Sequence, residues 1–211
     1  QNTMKWHEAE SDPELLELWV ADMDFLPVPE IRDAVINYAE THIFGYPYPS
    51  DELYQSIIDW EKNQHGYSVD KASIVLIEGV VPAISTAIQS FTKEDDAVLI
   101  NTPVYPSFAR SVRLNNRKLI ENSLVKVNGH FEIDFEQLER DIVDNDVKLY
   151  VFCSPHNPGG RVWTKEELTM VADLCQKHGV LLVSDEIHQD LALYGNKHIS
   201  LNTISNAYKD F

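Results

Sequence analysis

Cysteine is nearly absent, with only Cys153 and Cys175 among 211 residues. Two thiols in separate apolar stretches cannot make a disulfide framework, and both are expected to be reduced core residues of a cytosolic protein. Long apolar runs are missing as well. No stretch reaches the roughly 18 uncharged apolar residues that a membrane-spanning helix needs, so no membrane partner is expected. The opening QNTMKWHEAESD has no apolar core behind a basic start, and no signal peptide is read there. Cations are scarce: 17 Lys and Arg stand against 34 Asp and Glu, a net charge of −17. That excess repels phosphate backbones and anionic lipid surfaces, and the cations are scattered rather than striped. Nucleic acid is therefore not expected as a partner. Repeats and low-complexity tracts are absent, and an apolar share of 44% with 24% charged residues is ordinary for a globular chain. Disorder, collagen and coiled coil are excluded.

From Ser50 onward, short apolar runs alternate with amphipathic helical stretches. Ile74–Ile77, Ala97–Ile100, Leu149–Phe152 and Val180–Val183 are mostly apolar on both faces, which fits strands covered by helices on either side. Helix punctuation lies between them. Thr164-Lys-Glu-Glu167 is a capping box, and Gly179 follows Lys177-His178 as a helix stop. Ser50-Asp51 opens a helix that Gly66 ends, and Asp134 caps the stretch through Asn145. This alternation predicts an α/β fold, a mostly parallel sheet with helices on both faces. The first forty-odd residues differ. A helix from about Glu30 to Thr41, with Pro29 at its first turn, follows the stretch Leu18–Phe25. The segment has too little of its own to form a core, so it must pack against the main sheet or against further chain.

In an open α/β sheet, ligands bind beyond the carboxyl ends of the strands. Four segments leave those ends. Glu78-Gly79-Val80-Val81-Pro82 offers free N–H groups on Val80 and Val81 and a helix dipole suited to a phosphate, or simply a tight strand-to-helix turn. In Thr102-Pro103-Val104-Tyr105-Pro106, two prolines hold an aromatic ring that could stack on a flat cofactor or close the core edge. Ser154-Pro155-His156-Asn157-Pro158-Gly159-Gly160 specifies one rigid loop that aims the Asn157 amide. Ser184-Asp185-Glu186-Ile187-His188 places a carboxylate where burial is costly without a cation, so Asp185 is a partner for a protonated ring nitrogen or a metal. Asp185, Glu186, His188 and Asp190 lack any paired metal-ligand spacing, and no metal site is assigned. There is no G-x-S-x-G elbow, no P-loop and no G-x-G-x-x-G.

Taken together, the four segments carry a resemblance. Gly79-Val-Val-Pro, Thr102-Pro-Val-Tyr105, Ser154-Pro-His-Asn157-Pro-Gly-Gly and Ser184-Asp-Glu-Ile-His188 resemble, in order and spacing, the fold type I pyridoxal-phosphate enzymes. Trp19-Val-Ala-Asp-Met-Asp-Phe25, Phe44-Gly-Tyr46 and Asn157-Pro-Gly-Gly-Arg-Val-Trp163 narrow the resemblance to the MalY/PatB class of cystathionine β-lyases, the bacterial C–S lyases. It covers nearly the whole chain. It implies the aspartate aminotransferase fold, with residues 1–45 contributing to a small domain and residues 46–211 forming the first part of a large cofactor-binding domain. It implies pyridoxal 5′-phosphate, held by Val80 and Val81 N–H at the phosphate, Tyr105 on the ring face and Asn157 at the ring hydroxyl. Asp185 would meet the ring nitrogen with His188 nearby. Tyr46 would reach the phosphate in the neighbouring subunit of a homodimer, and Met23 and Asp24 would lie beside the substrate.

The family reaction is β-elimination, which converts cystathionine- or cysteine-type amino acids to a thiol, pyruvate and ammonia. Aminotransferases of the superfamily usually carry tyrosine where His188 stands and N-P-T-G where this chain has Asn157-Pro-Gly-Gly. Both departures favour a lyase, with an aminotransferase as the alternative. The Schiff-base lysine of the class lies in an S-K-[TS]-F-N-type segment, and neither Lys197 nor Lys209 has that setting. The lysine is therefore expected beyond Phe211, with no catalytic residue assigned within this chain. The chain then reads as an incomplete large domain, inactive alone. A truncated, non-catalytic binding or regulatory subunit is the alternative of another class, and a coding continuation with a Ser-Lys segment would dismiss it.

Overall fold

Local signals set most helix ends in the computed structural model, which describes residues 3–7, 9–12, 14–18 and 20–204. Trp19 and Lys209 lie outside the described residues. Two compact units emerge, Gln1–Pro49 and Ser50–Phe211. The first holds α1 (Met4–His7) and α2 (Pro29–Thr41). Proline at the start of α2 gives up an N–H that would have had no acceptor there. No residue of α2 is buried.

The second unit opens with α3 (Asp51–His65), where Ser50 Oγ accepts from Leu53 N–H at 3.3 Å and Gly66 ends the helix at φ +67°. Then come α4 (Val80–Phe91), β1 (Ala97–Thr102), α5 (Ser107–Leu114) and β2 (Lys118–Ser123). A hairpin of β3 (Val125–Val127) and β4 (His130–Glu132) turns through Asn128-Gly129, both with positive φ. Next are α6 (Phe135–Asp144), β5 (Val147–Cys153), α7 (Lys165–His178) and β6 (Leu181–Asp185). Asp134 caps α6 through Gln137 N–H at 3.0 Å. Thr164 and Glu167 complete both halves of a capping box on α7, which Gly179 closes at φ +65°.

The four main strands pair in parallel in the order β2-β1-β5-β6. Parallel neighbours require crossovers, and α5, α6 and α7 supply them. Alternate residues of each strand feed two cores. On one face Leu99, Tyr150, Phe152 and Leu182 pack with Leu138, Ile142, Leu168 and Val171 of α6 and α7. On the other, Val98, Ile100, Leu149, Val151 and Val183 pack with Ile84, Ile88, Phe108 and Val112 of α4 and α5. The sheet is thus α/β with helices on both faces, as the alternation predicted.

The run Ile74–Ile77 departs from expectation. It is not a strand: no described residue pairs with it, and Val75, Leu76 and Ile77 are exposed. Strand geometry needs a neighbouring backbone edge, and an apolar run cannot supply its own.

Candidate active site

Parallel strands put their carboxyl ends on one edge of the sheet. Thr102, Cys153 and Asp185 end β1, β5 and β6 there. The twelve residues of α4 span about 18 Å, close to the length of β1, and α4 ends just before β1 begins. Its N-terminus is therefore carried back toward the carboxyl edge. Gly79, at φ +107°, opens α4 without a side-chain cap. A side chain at that φ is strained, although a Cβ would meet nothing closer than Pro82 Cδ at 3.7 Å. Val80 and Val81 occupy the first turn, where N–H groups have no helical acceptor.

Strand alternation sorts the acids of β6 and its exit. Asp185 shares a face with Val183, the face that α4 and α5 cover, whereas Ser184 and Glu186 turn toward α7. Asp185 is 8% exposed. Its Oδ1 accepts from Ile187 N–H at 3.1 Å, and no cation pairs with it among the described residues. Burial pushes its pKa up, against the Ile187 N–H and a nearby His188, with the Glu186 charge adding to the rise. A buried acid in this state favours an incoming cation with a proton to share.

Glu186 is handled in the opposite way. Burial alone would raise its pKa, but His198 Nε2 at 2.9 Å, Leu201 N–H at 3.0 Å and Ser184 Oγ at 2.9 Å outweigh it and hold the carboxyl low. Glu186 is a satisfied structural acid. A cavity of about 390 Å³ beside it, lined by Glu61, Tyr67, Leu182, Ser184, Glu186 and Leu201, contains none of the candidate site side chains.

The two proline-flanked loops meet at the same edge. Tyr105 N–H donates to Asn157 O at 3.1 Å, and His156 Nε2 lies 2.8 Å from Pro103 O. Ser154 N–H donates to Asp185 O at 2.9 Å, joining the Asn157 loop to the end of β6. Tyr105 is 43% exposed, and its ring stands edge-on to Phe108 at 6.4 Å. Neither the Tyr105 hydroxyl nor the Asn157 amide has a partner among the described residues. Thr102-Pro103, Ser154-Pro155 and Asn157-Pro158 are cis. Val80, Val81, Tyr105, Asn157, Asp185 and His188 all belong to this edge or its exits. No group of three or more His, Cys, Asp or Glu side chains among the described residues could hold a metal ion.

Met23, Asp24 and Tyr46 fall in the first unit, all exposed. There the structure adds a residue that the sequence did not flag. Lys5 is 5% exposed, and its Nζ donates to Asp22 O at 3.0 Å and Asp24 Oδ1 at 2.9 Å.

Comparison with known proteins places this arrangement. Residues 13–209 match the family described as aminotransferase class I and II. The chain belongs to that family. It is 42% identical over 195 residues to cystathionine beta-lyase PatB of Bacillus subtilis, covering 92% of this chain and 50% of that protein. It is 33% identical to protein MalY of Escherichia coli K12, covering 91% and 50%. Among solved structures, cystalysin from Treponema denticola, which contains a pyridoxal 5′-phosphate cofactor, superposes with a TM-score of 0.92 at 37% identity, covering 98% of this chain and 54% of that one. The chain spans about half the length of the curated relatives it matches.

The aminotransferase fold that the resemblance of the four segments implied is therefore the fold of this chain. Pyridoxal 5′-phosphate is the cofactor of the family, as the resemblance implied. The carboxyl edge fits it. An unpaired buried carboxylate, an uncapped helix N-terminus and a free amide answer to a pyridine nitrogen, a phosphate and a ring hydroxyl.

Proposed function

We propose that the whole protein is a pyridoxal-phosphate-dependent C–S lyase, which breaks the Cβ–S bond of cystathionine- or cysteine-type amino acids by β-elimination. With water, cystathionine gives homocysteine, pyruvate and ammonia. The observation that carries this reading is the 42% identity over 195 residues to a cystathionine β-lyase. His188 and Asn157-Pro-Gly-Gly, the two departures from the usual aminotransferase pattern, support it.

When bound, pyridoxal phosphate supplies an electron sink for a carbanion at the substrate α-carbon. The residues of this chain bind and orient. Asp185, as a carboxylate, would keep a proton on the ring nitrogen, because its burial strengthens the attraction to a cationic partner and that partner offsets the cost of burying its charge. Val80 and Val81 N–H donate to the phosphate, with the α4 dipole adding to the attraction. Tyr105 covers one ring face, and the Asn157 amide donates to the ring hydroxyl oxygen. His188 stands beside Asp185. Met23 and Asp24 line the substrate, Tyr46 serves the phosphate of a second subunit in a homodimer, and a lysine from the other half of the whole protein moves the proton.

The test is product analysis on the whole protein. Cystathionine should yield pyruvate and a free thiol in equal amounts without any added 2-oxo acid. If turnover requires a 2-oxo acid and releases no pyruvate, the protein is an aminotransferase and the lyase reading fails.

A further inference from the structure

We propose that His156 is a positioning residue: its Nε2–H clamps the Tyr105 loop to the Asn157 loop and so sets the spacing between the residue under the cofactor ring and the residue at its edge. This rests on the cofactor roles proposed for Tyr105 and Asn157.

The ring's protonation follows from its surroundings. His156 is 3% exposed. Burial holds its pKa below the usual histidine value and the Arg161 charge adds to this, against the Pro103 and Cys153 carbonyls. The ring is therefore neutral near pH 7 and carries one N–H. Nε2 lies 2.8 Å from the Pro103 carbonyl, which can only accept, so the hydrogen is on Nε2. Nδ1 is then a bare lone pair, buried and without a hydrogen bond. The nearby Cys153 carbonyl, which receives Trp163 Nε1–H at 2.9 Å, is itself an acceptor and has no hydrogen to give Nδ1.

A buried lone pair without a donor costs stability, and an apolar side chain would avoid that cost. What the imidazole provides in return is the single bond from Nε2. That bond joins β1's exit to β5's exit, which otherwise meet through Tyr105 N–H and Asn157 O. The ring cannot swing away to solvate itself. It packs edge-on to Trp163 at 5.6 Å, and Arg161 lies over the Trp163 ring at 4.7 Å. Gly159 closes the remaining side, because a Cβ there would lie 2.8 Å from His156 Cδ2. The backbone of His156 is also fixed in both directions, with its N–H on Arg161 O and its carbonyl receiving Gly160 N–H, each at 2.8 Å. Every restraint on His156 thus serves to aim one N–H at the Tyr105 loop.

The experiment uses the whole protein with pyridoxal phosphate and three substitutions. His156→Phe keeps a ring and removes the donor. His156→Gln places an N–H near the position of Nε2, whereas His156→Asn is polar but too short to reach Pro103. Two readouts are taken: amide hydrogen exchange at Tyr105 without cofactor, and cofactor dissociation together with the circular dichroism of the bound cofactor. Phe and Asn should each speed Tyr105 exchange and weaken cofactor binding by about tenfold and alter the dichroism, with Gln restoring most of both. If Phe does not fold, Gln against Asn carries the comparison. Unchanged exchange in Phe and Asn overturns the clamp. Faster exchange with unchanged cofactor affinity and dichroism shows the clamp to be real but remote from the cofactor, and overturns the roles assigned to Tyr105 and Asn157 instead.

Discussion

Asp185 is a liability in the chain without cofactor, and the role proposed for it makes it a requirement when cofactor is bound. Its pKa lies above the ordinary 3.8, chiefly through burial. The folded chain therefore holds that proton more tightly than the unfolded chain does. The resulting contribution favours folding fully below 3.8 and is lost as pH rises through the raised folded value. Without cofactor, the stability of the parent relative to Asp185→Asn is expected to fall across that interval, leaving the Asn variant at least as stable at pH 7. Denaturant unfolding of both chains at several pH values checks this, and a difference independent of pH would sink it. With cofactor the sign reverses. In the whole protein, Asp185→Asn removes the carboxylate proposed to pair with the ring nitrogen and should weaken cofactor binding roughly ten- to a hundredfold. Cofactor titration followed by absorbance measures that loss.

At the scale of elements, α7 joins stability to site geometry. Glu167 belongs to its capping box, accepting from Thr164 N–H at 2.8 Å, and also pairs with Arg161 Nη2 at 2.7 and 2.8 Å. Arg161 in turn donates to the Phe131 carbonyl and lies over Trp163, at the foot of the Asn157 loop. Thr164→Ala removes only the cap and should cost about 1 kcal/mol. Glu167→Ala removes cap and ion pair together, so it should cost more and also speed hydrogen exchange through residues 157–161. Equal costs for the two variants, with unchanged exchange in that loop, would show α7 and the loop to be independent. The capping box was legible because its chemistry lies within four residues. The same holds for Ser50, Gly66, Asp134 and Gly179. Strands β1 and β5 were legible for another reason: burial on both faces leaves a continuous apolar run. Edge strand β2 hid behind Lys118, Glu121 and Asn122, and the Asn128-Gly129 turn went unread because its strands are three residues long. Ile74–Ile77 misled because an apolar run reports a surface to be covered and not the partner that covers it. The four candidate segments were legible from proline, glycine and an acid at the end of an apolar run, although only three of them leave a strand. His156 was not, because a histidine between two prolines reads as a loop residue until Gly159, Trp163 and Pro103 are seen around it. Lys5 was hidden too, since its partners lie 17 and 19 residues away.

Across the whole molecule, apolar exposure and charge oppose each other. Ile31, Val35, Ile36 and Tyr38 of α2 are exposed, as are Val75, Leu76 and Ile77, and the outer edge of β6 has no partner among the described residues. Surfaces of this kind favour association through apolar contact and strand pairing. The net charge of −17 works against it by mutual repulsion. Salt decides between them, because the screening length falls from about 10 Å at 0.1 M to about 3 Å at 1 M while apolar contact is not screened. The 211-residue chain by itself should therefore bind a hydrophobic dye at all salt concentrations and associate progressively as sodium chloride is raised over that range. The whole protein, with further chain available to cover these surfaces, should bind less dye per chain and keep one assembly size. Dye titration and sedimentation across the salt series separate the outcomes. A monodisperse chain that binds no dye at 1 M salt would mean that residues 1–211 cover their own apolar surface, and the exposed faces of α2 and Ile74–Ile77 would then need another explanation.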